Sequence, residues 1–110
     1  MVHDVLGAKG LRVDSCVSGR RALEILRSNS PYDLVIVDND LPASMGLELV
    51  LRVREISHRR DLSIIMLSGI DCEKEAWHAG VKAFLRKPED VNKIASTINR
   101  LLEDRKERKR

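Results

Sequence analysis

The chain has 110 residues with 43% apolar content, enough for one domain with a core that needs no disulfide or metal staples. No stretch approaches the roughly 18 uninterrupted apolar residues of a membrane span, so a soluble domain is expected, and the start Met1-Val2-His3-Asp4 reads as no secretory signal, which makes cytoplasm the default. The net charge of +3 would suit a nucleic-acid partner, but the final six residues, Arg105 to Arg110, carry +4 of it and leave Met1 to Asp104 at −1. With only three aromatic residues to stack on bases, nucleic acid is not expected as a partner of the domain itself; the division is a domain over 1–104 and a basic tail over 105–110.

Val2 to Lys9 reads as the end of a helix closed by Gly10. Leu11 to Val17 then alternates apolar and polar residues, as a half-buried strand does. Ser18 can cap a helix whose Ala22, Leu23, Ile25 and Leu26 face inward, and Ser28-Asn29-Ser30-Pro31 ends it. The β-branched run Leu34-Val35-Ile36-Val37 follows and closes on Asp38, the pattern of a buried strand that ends in a carboxylate. After Pro42 and a turn at Gly46, Leu47, Val50, Leu51, Val53 and Ile56 mark a second helix, broken by His58 to Asp61.

Leu62 to Leu67 is another buried strand, ending in Ser68-Gly69. A short helix from about Asp71 to Ala79 stops at Gly80, and Val81 to Leu85 forms a last strand before Arg86-Lys87-Pro88. The final helix starts near Glu89 and places Val91, Ile94, Ala95, Ile98, Leu101 and Leu102 at spacings of three and four. Alternation of strands and helices calls for an α/β fold, a doubly wound parallel sheet in three layers.

Such a sheet collects the C-terminal ends of its strands along one edge, where ligands bind. Asp38, Ser68 and Lys87 therefore share a cleft. A carboxylate can act as a nucleophile toward phosphorus, while a hydroxyl and an ammonium bind the oxygens of a transferring phosphoryl group; Gly69 leaves it room to enter. A cis Lys87-Pro88 bond would aim the lysine back into this cleft. Taken singly, Asp38 could equally cap a turn, Ser68 a helix, and Lys87 could be a surface lysine. Cys16 and Cys72, and His3, His58 and His78, are too scattered for a zinc site, and Trp77 and His78 read as packing and surface residues. Neither GxGxxG nor GxxxxGK[ST] occurs, which places a nucleotide-binding enzyme last.

The stretch Tyr32 to Pro42, with Gly46-Leu47-Glu48-Leu49, resembles the phosphoacceptor region of the receiver domains of two-component response regulators. Ile64 to Gly69 resembles that family's fourth strand and Ala79 to Pro88 its fifth, so the likeness spans nearly the whole chain. It implies a flavodoxin-like fold in which Asp38 accepts phosphate from a sensor histidine kinase or phosphotransfer protein. It further implies that Ser68 and Lys87 contact the phosphoryl oxygens and that Ser68 and Phe84 form the switch. Pro42, Gly46, Gly69 and Pro88 would shape the loops, and Asp38 with the backbone carbonyl of Asp40 would ligate Mg²⁺. The setting implied is bacterial signalling rather than enzyme catalysis, with an effector reached through the last strand and helix.

The chain departs from that family at its start: the usual first strand with its acidic pair has no counterpart here, so four strands are expected. A truncated or mis-started chain, a degenerate receiver, or a sheet whose two flanking strands close directly on each other or borrow a strand from a second copy would each account for the gap in the family's strand order 2-1-3-4-5. The competing functional reading is a phosphate-independent interaction module. Mg²⁺ is implied only if Asp38 is phosphorylated, and the missing acidic pair counts against it.

Overall fold

The computed structural model describes residues 18–39 and 46–108. Helix α1 spans Gly19–Arg27, strand β1 Leu34–Asp38, helix α2 Gly46–Glu55, strand β2 Ser63–Ser68, helix α3 Glu73–Ala79, strand β3 Ala83–Arg86 and helix α4 Ile94–Arg108, with single 3₁₀ turns at Ser57–Arg59 and Val91–Lys93. The strands form one parallel sheet in the order β1-β2-β3, with Val35 opposite Ile64, Asp38 opposite Leu67, and Ser68 opposite Arg86. The expected helix end at Val2–Lys9 and strand at Leu11–Val17 lie outside the described residues, as do Asp40 and Pro42.

β2 is the centre of the molecule. All six of its residues are buried because strands flank it on both sides and helices cover both faces. Ile64 and Met66 point into a core with Val37, Phe84 and residues of α1, α2 and α3, among them Leu26, Val50, Val53 and Ala76. Ile65 and Leu67 point the other way, where Ala83 and Leu85 meet Ile94, Ile98 and Leu101 of α4. The period of two along β2 thus sorts its side chains between the layers. In β1 only Val37 is buried, and among the described residues no strand pairs with its other edge.

Two arginines tie chain ends that regular structure leaves open. Arg54 donates to the carbonyls of Arg59, Arg60, Leu62 and Gly80, so one guanidinium joins the end of α2 to the entry of β2 and the exit of α3. Burial lowers its pKa from the ordinary arginine value. Arg59 is buried over the Tyr32 ring and donates to the carbonyls of Leu26, Ser28 and Ser30, satisfying the C-terminal end of α1. Gly80 closes α3 at φ +115°, a left-handed cap in which its N–H donates to the Ala76 carbonyl and that of Val81 does the same.

Several element edges differ from the sequence reading. Ser18 does cap α1, its side chain accepting the Arg21 N–H. The last strand begins at Ala83 rather than Val81, because the Val81 N–H is still engaged in closing α3. The final α-helix begins at Ile94 rather than Glu89, since residues 91–93 wind as a 3₁₀ turn, and it runs without a break through residue 108, so the basic run starts inside it. Gly46 is the first residue of α2, not a turn residue. Leu51, assigned to the apolar pattern of α2, is 52% exposed: it follows Val50 and precedes Val53 on a helix whose buried stripe is already complete.

Ile65→Ala should cost about 2–4 kcal/mol, because it empties a fully buried site beneath α4, while Leu51→Ala should stay within about 0.5 kcal/mol. Urea unfolding with an unchanged slope measures both; comparable losses would contradict the burial pattern.

Candidate functional site

Parallel register carries the strand ends to one edge, and the ladder runs one residue beyond the strands there. The Asn39 N–H donates to the Leu67 carbonyl at 2.9 Å and the Lys87 N–H to the Ser68 carbonyl at 3.0 Å. Those two bonds fix the chain directions from which Asp38 and Lys87 project. The Lys87 ammonium donates to Asp38 Oδ1 at 2.8 Å and to Oδ2 at 2.7 Å, bridging two strands with β2 between them. Both side chains are about one-quarter to one-third exposed, at 26% for Asp38 and 30% for Lys87, so the pair opens on solvent while its attraction is only partly screened. The Lys87-Pro88 peptide is cis.

Ser68 ends β2 and is buried. Its hydroxyl oxygen accepts the Ile70 N–H at 3.0 Å, and its O–H donates to the Ile70 carbonyl at 3.2 Å, folding the loop after β2 back over it. The Asn39 side-chain amide donates to the same oxygen at 3.4 Å and to the Cys72 sulfur at 3.6 Å, with the Cys72 thiol 3.8 Å from Ser68 Oγ. Gly69 is exposed at the mouth of this loop, as is Pro88 beyond Lys87. Phe84 is buried in the core beneath the edge, with the Arg86 guanidinium 5.6 Å from its ring centre.

Arg86 also joins the loops on either side of it. Its guanidinium pairs with Asp71 at 3.3 Å and Glu73 at 2.8 Å, linking β3 to the loop after Ser68, and these hydrogen bonds raise its pKa. Its backbone N–H donates to Asp90 Oδ2, and Asp90 also pairs with Lys93. The backbone hydrogen bond from Arg86, then the contact with Lys93, lowers the Asp90 pKa.

The trio Asp38, Ser68 and Lys87 therefore meets at one sheet edge, as their positions in the sequence require. Asn39, Cys72 and Arg86 belong to the same edge, and the chemistry of the sequence alone does not mark them as site residues. The signal for them is positional: Asn39 follows the strand-ending carboxylate directly, and Arg86 precedes the lysine.

The model of the response regulator receiver domain family matches residues 1–99. The chain is similar to a two-component response regulator of Arabidopsis thaliana, at 28% identity over 98 residues covering 88% of this chain and 70% of that protein. It is similar in structure to a chemotaxis response regulator of Vibrio cholerae, with a TM-score of 0.81 and 28% identity, covering 92% of this chain and 86% of that one. The receiver domain of a sensor histidine kinase from Pseudomonas aeruginosa, crystallised with a magnesium ion in its active-site cleft, shares the fold at a TM-score of 0.79 and 23% identity over 93% of this chain and 85% of that one. The relatives thus span plants and bacteria.

Magnesium takes about six oxygens in near-octahedral array, usually including one or two carboxylates. Among the described residues no three His, Cys, Asp or Glu side chains lie close enough together to hold a metal ion, and both Asp38 oxygens already receive the Lys87 ammonium. The described residues alone do not fit that ion.

Asp90 supplies a pH test. Its lowered pKa means its stabilising contacts are fully present above the ordinary Asp value of 3.8 and are lost as pH falls through the lowered value. Wild type should therefore be more stable than Asp90→Asn at about pH 6, with the gap narrowing as pH falls below 3.8. Thermal unfolding across that range measures it, and a gap that does not change with pH would contradict the assignment.

Proposed function

This chain belongs to the response regulator receiver domain family, the signalling domains of two-component systems, and from that we propose that Asp38 is its phosphoacceptor. The donor is a histidine kinase or a phosphotransfer protein. One observation carries the reading: an ammonium on both oxygens of the only carboxylate that the described strands bring to this edge, with a hydroxyl on the strand between them.

An Asp38 oxygen attacks the phosphorus of the donor; the new P–O bond forms an acyl phosphate as the donor's bond to phosphorus breaks and the leaving group departs with its electron pair. Lys87 then gives up one carboxylate oxygen and follows the charge onto a phosphoryl oxygen, a move that needs no change of neighbour. Ser68 turns its hydrogen from the Ile70 carbonyl to a second phosphoryl oxygen. Release of that bond loosens the loop at residues 69–72, which Arg86 ties through Asp71 to β3 above Phe84, so occupancy of Asp38 reaches β3 and with it the face that β3 forms with α4. That face is where an effector would read the state of a domain spanning residues 1–104, inside the cell.

A second reading has its own support: with no metal-binding cluster among the described residues, the domain acts as a partner-binding module without phosphate. The two separate cleanly. Wild type incubated with acetyl phosphate and Mg²⁺ should gain one phosphoryl group by intact mass, Asp38→Asn none, and Lys87→Met should label roughly 10²-fold more slowly. An unlabelled wild type would leave the partner-binding reading standing and sink this one.

A further inference from the structure

We propose that Asn39 is a positioning residue that fixes Ser68 as a hydrogen-bond donor toward the phosphoryl group, and that Gly46 is glycine because a side chain there would displace the Asn39 amide. The inference rests on the phosphoacceptor reading of Asp38 and names how the same site orients its hydroxyl.

A hydroxyl has one hydrogen to give and two lone pairs that accept. On Ser68 two N–H groups converge on the oxygen, one from the Ile70 backbone and one from the Asn39 amide. An oxygen that receives two N–H groups presents its hydrogen to whatever arrives next, and an anionic oxygen is the acceptor that gains most from it. The Ile70 contact belongs to a loop that must loosen when the Ser68 hydrogen leaves the Ile70 carbonyl. The Asn39 contact does not, because Asn39 is anchored by its own N–H on the Leu67 carbonyl, directly after Asp38. It keeps hold of the Ser68 oxygen while the loop moves. The Cys72 thiol accepts the Asn39 amide at 3.6 Å and donates weakly toward the Ser68 oxygen at 3.8 Å, so it too leaves the Ser68 hydrogen to be donated.

Gly46 stands against Asn39 from the other side. A Cβ built on Gly46 overlaps the Asn39 Oδ1 outright and lies 3.0 Å from its Cγ and 3.1 Å from its Cβ. A methyl group there would push the Asn39 amide away from the position in which it reaches Ser68 and Cys72. The nearest atoms to such a Cβ all belong to Asn39, so the absence of a side chain at this position is matched to that neighbour. Two residues separated in sequence thus converge on one hydroxyl: Asn39 by touching it, Gly46 by making room for Asn39.

The test is a cycle of phosphorylation rates with acetyl phosphate and Mg²⁺, using the full chain. Asn39→Ala should slow labelling about fivefold, equivalent to about 1 kcal/mol, and Gly46→Ala should do the same through the displaced amide. In a Ser68→Ala background, which Lys87 keeps measurable, both substitutions should have no further effect. Asn39→Asp, equal in shape but able only to accept, should be slower than Asn39→Ala with Ser68 present. Equal losses with and without Ser68 would overturn the role of Asn39 while leaving Asp38 as phosphoacceptor. A wild type that takes no label, with Asp38→Asn unchanged, would overturn both. Should Asn39→Ala fail to fold, Gly46→Ala carries the same cycle, and its losing activity equally in both backgrounds would be the adverse result.

Discussion

The architecture depends on the complete burial of β2. A strand with no exposed residue can exist only if its backbone groups find partners on both edges and its side chains find helices on both faces. Those requirements fix the rest in turn: β1 and β3 must run parallel beside it, their registers are set by which side chains face which layer, and their last residues must emerge together. Asp38 and Lys87 reach each other across the end of β2 because Ser68 is where that strand stops. The site is the consequence of a packing problem solved elsewhere in the molecule.

Charge at this edge is arranged in two tiers. The inner tier is the Lys87–Asp38 pair, partly shielded from solvent. The outer tier is Arg86 with Asp71 and Glu73, more exposed and therefore weaker as an attraction, yet placed to join two loops that the sheet itself does not connect. Between them lies the Ser68 hydroxyl, which accepts the Ile70 N–H from its own loop and the Asn39 amide from the end of β1.

Much of this was legible in the sequence because it depends on local pattern. The apolar runs at 34–37 and 62–67 gave strands of the right place and direction, Ser18 gave a cap, and the order of elements gave a parallel sheet, from which Asp38, Ser68 and Lys87 had to share an edge. The remainder depends on distance in the chain. No pattern within α2 says that Leu51 falls outside the buried stripe, since that depends on where α1 and α3 lie. Nor does a glycine at position 46 show whether it serves a turn or a neighbour seven residues earlier; only the packed Asn39 side chain decides it. The carbonyl ties made by Arg54 and Arg59 were equally invisible, because an arginine in a polar break looks like a solvated one until its acceptors are known.

Phosphotransfer to Asp38 would leave its carboxylate as an acyl phosphate. Borohydride cleaves such a group reductively and leaves homoserine in place of the aspartate, so the chain can be treated with acetyl phosphate, reduced and sequenced by mass spectrometry. Homoserine is expected at position 38 and at no other acidic residue. Homoserine elsewhere, or none after phosphate has been incorporated, would contradict it.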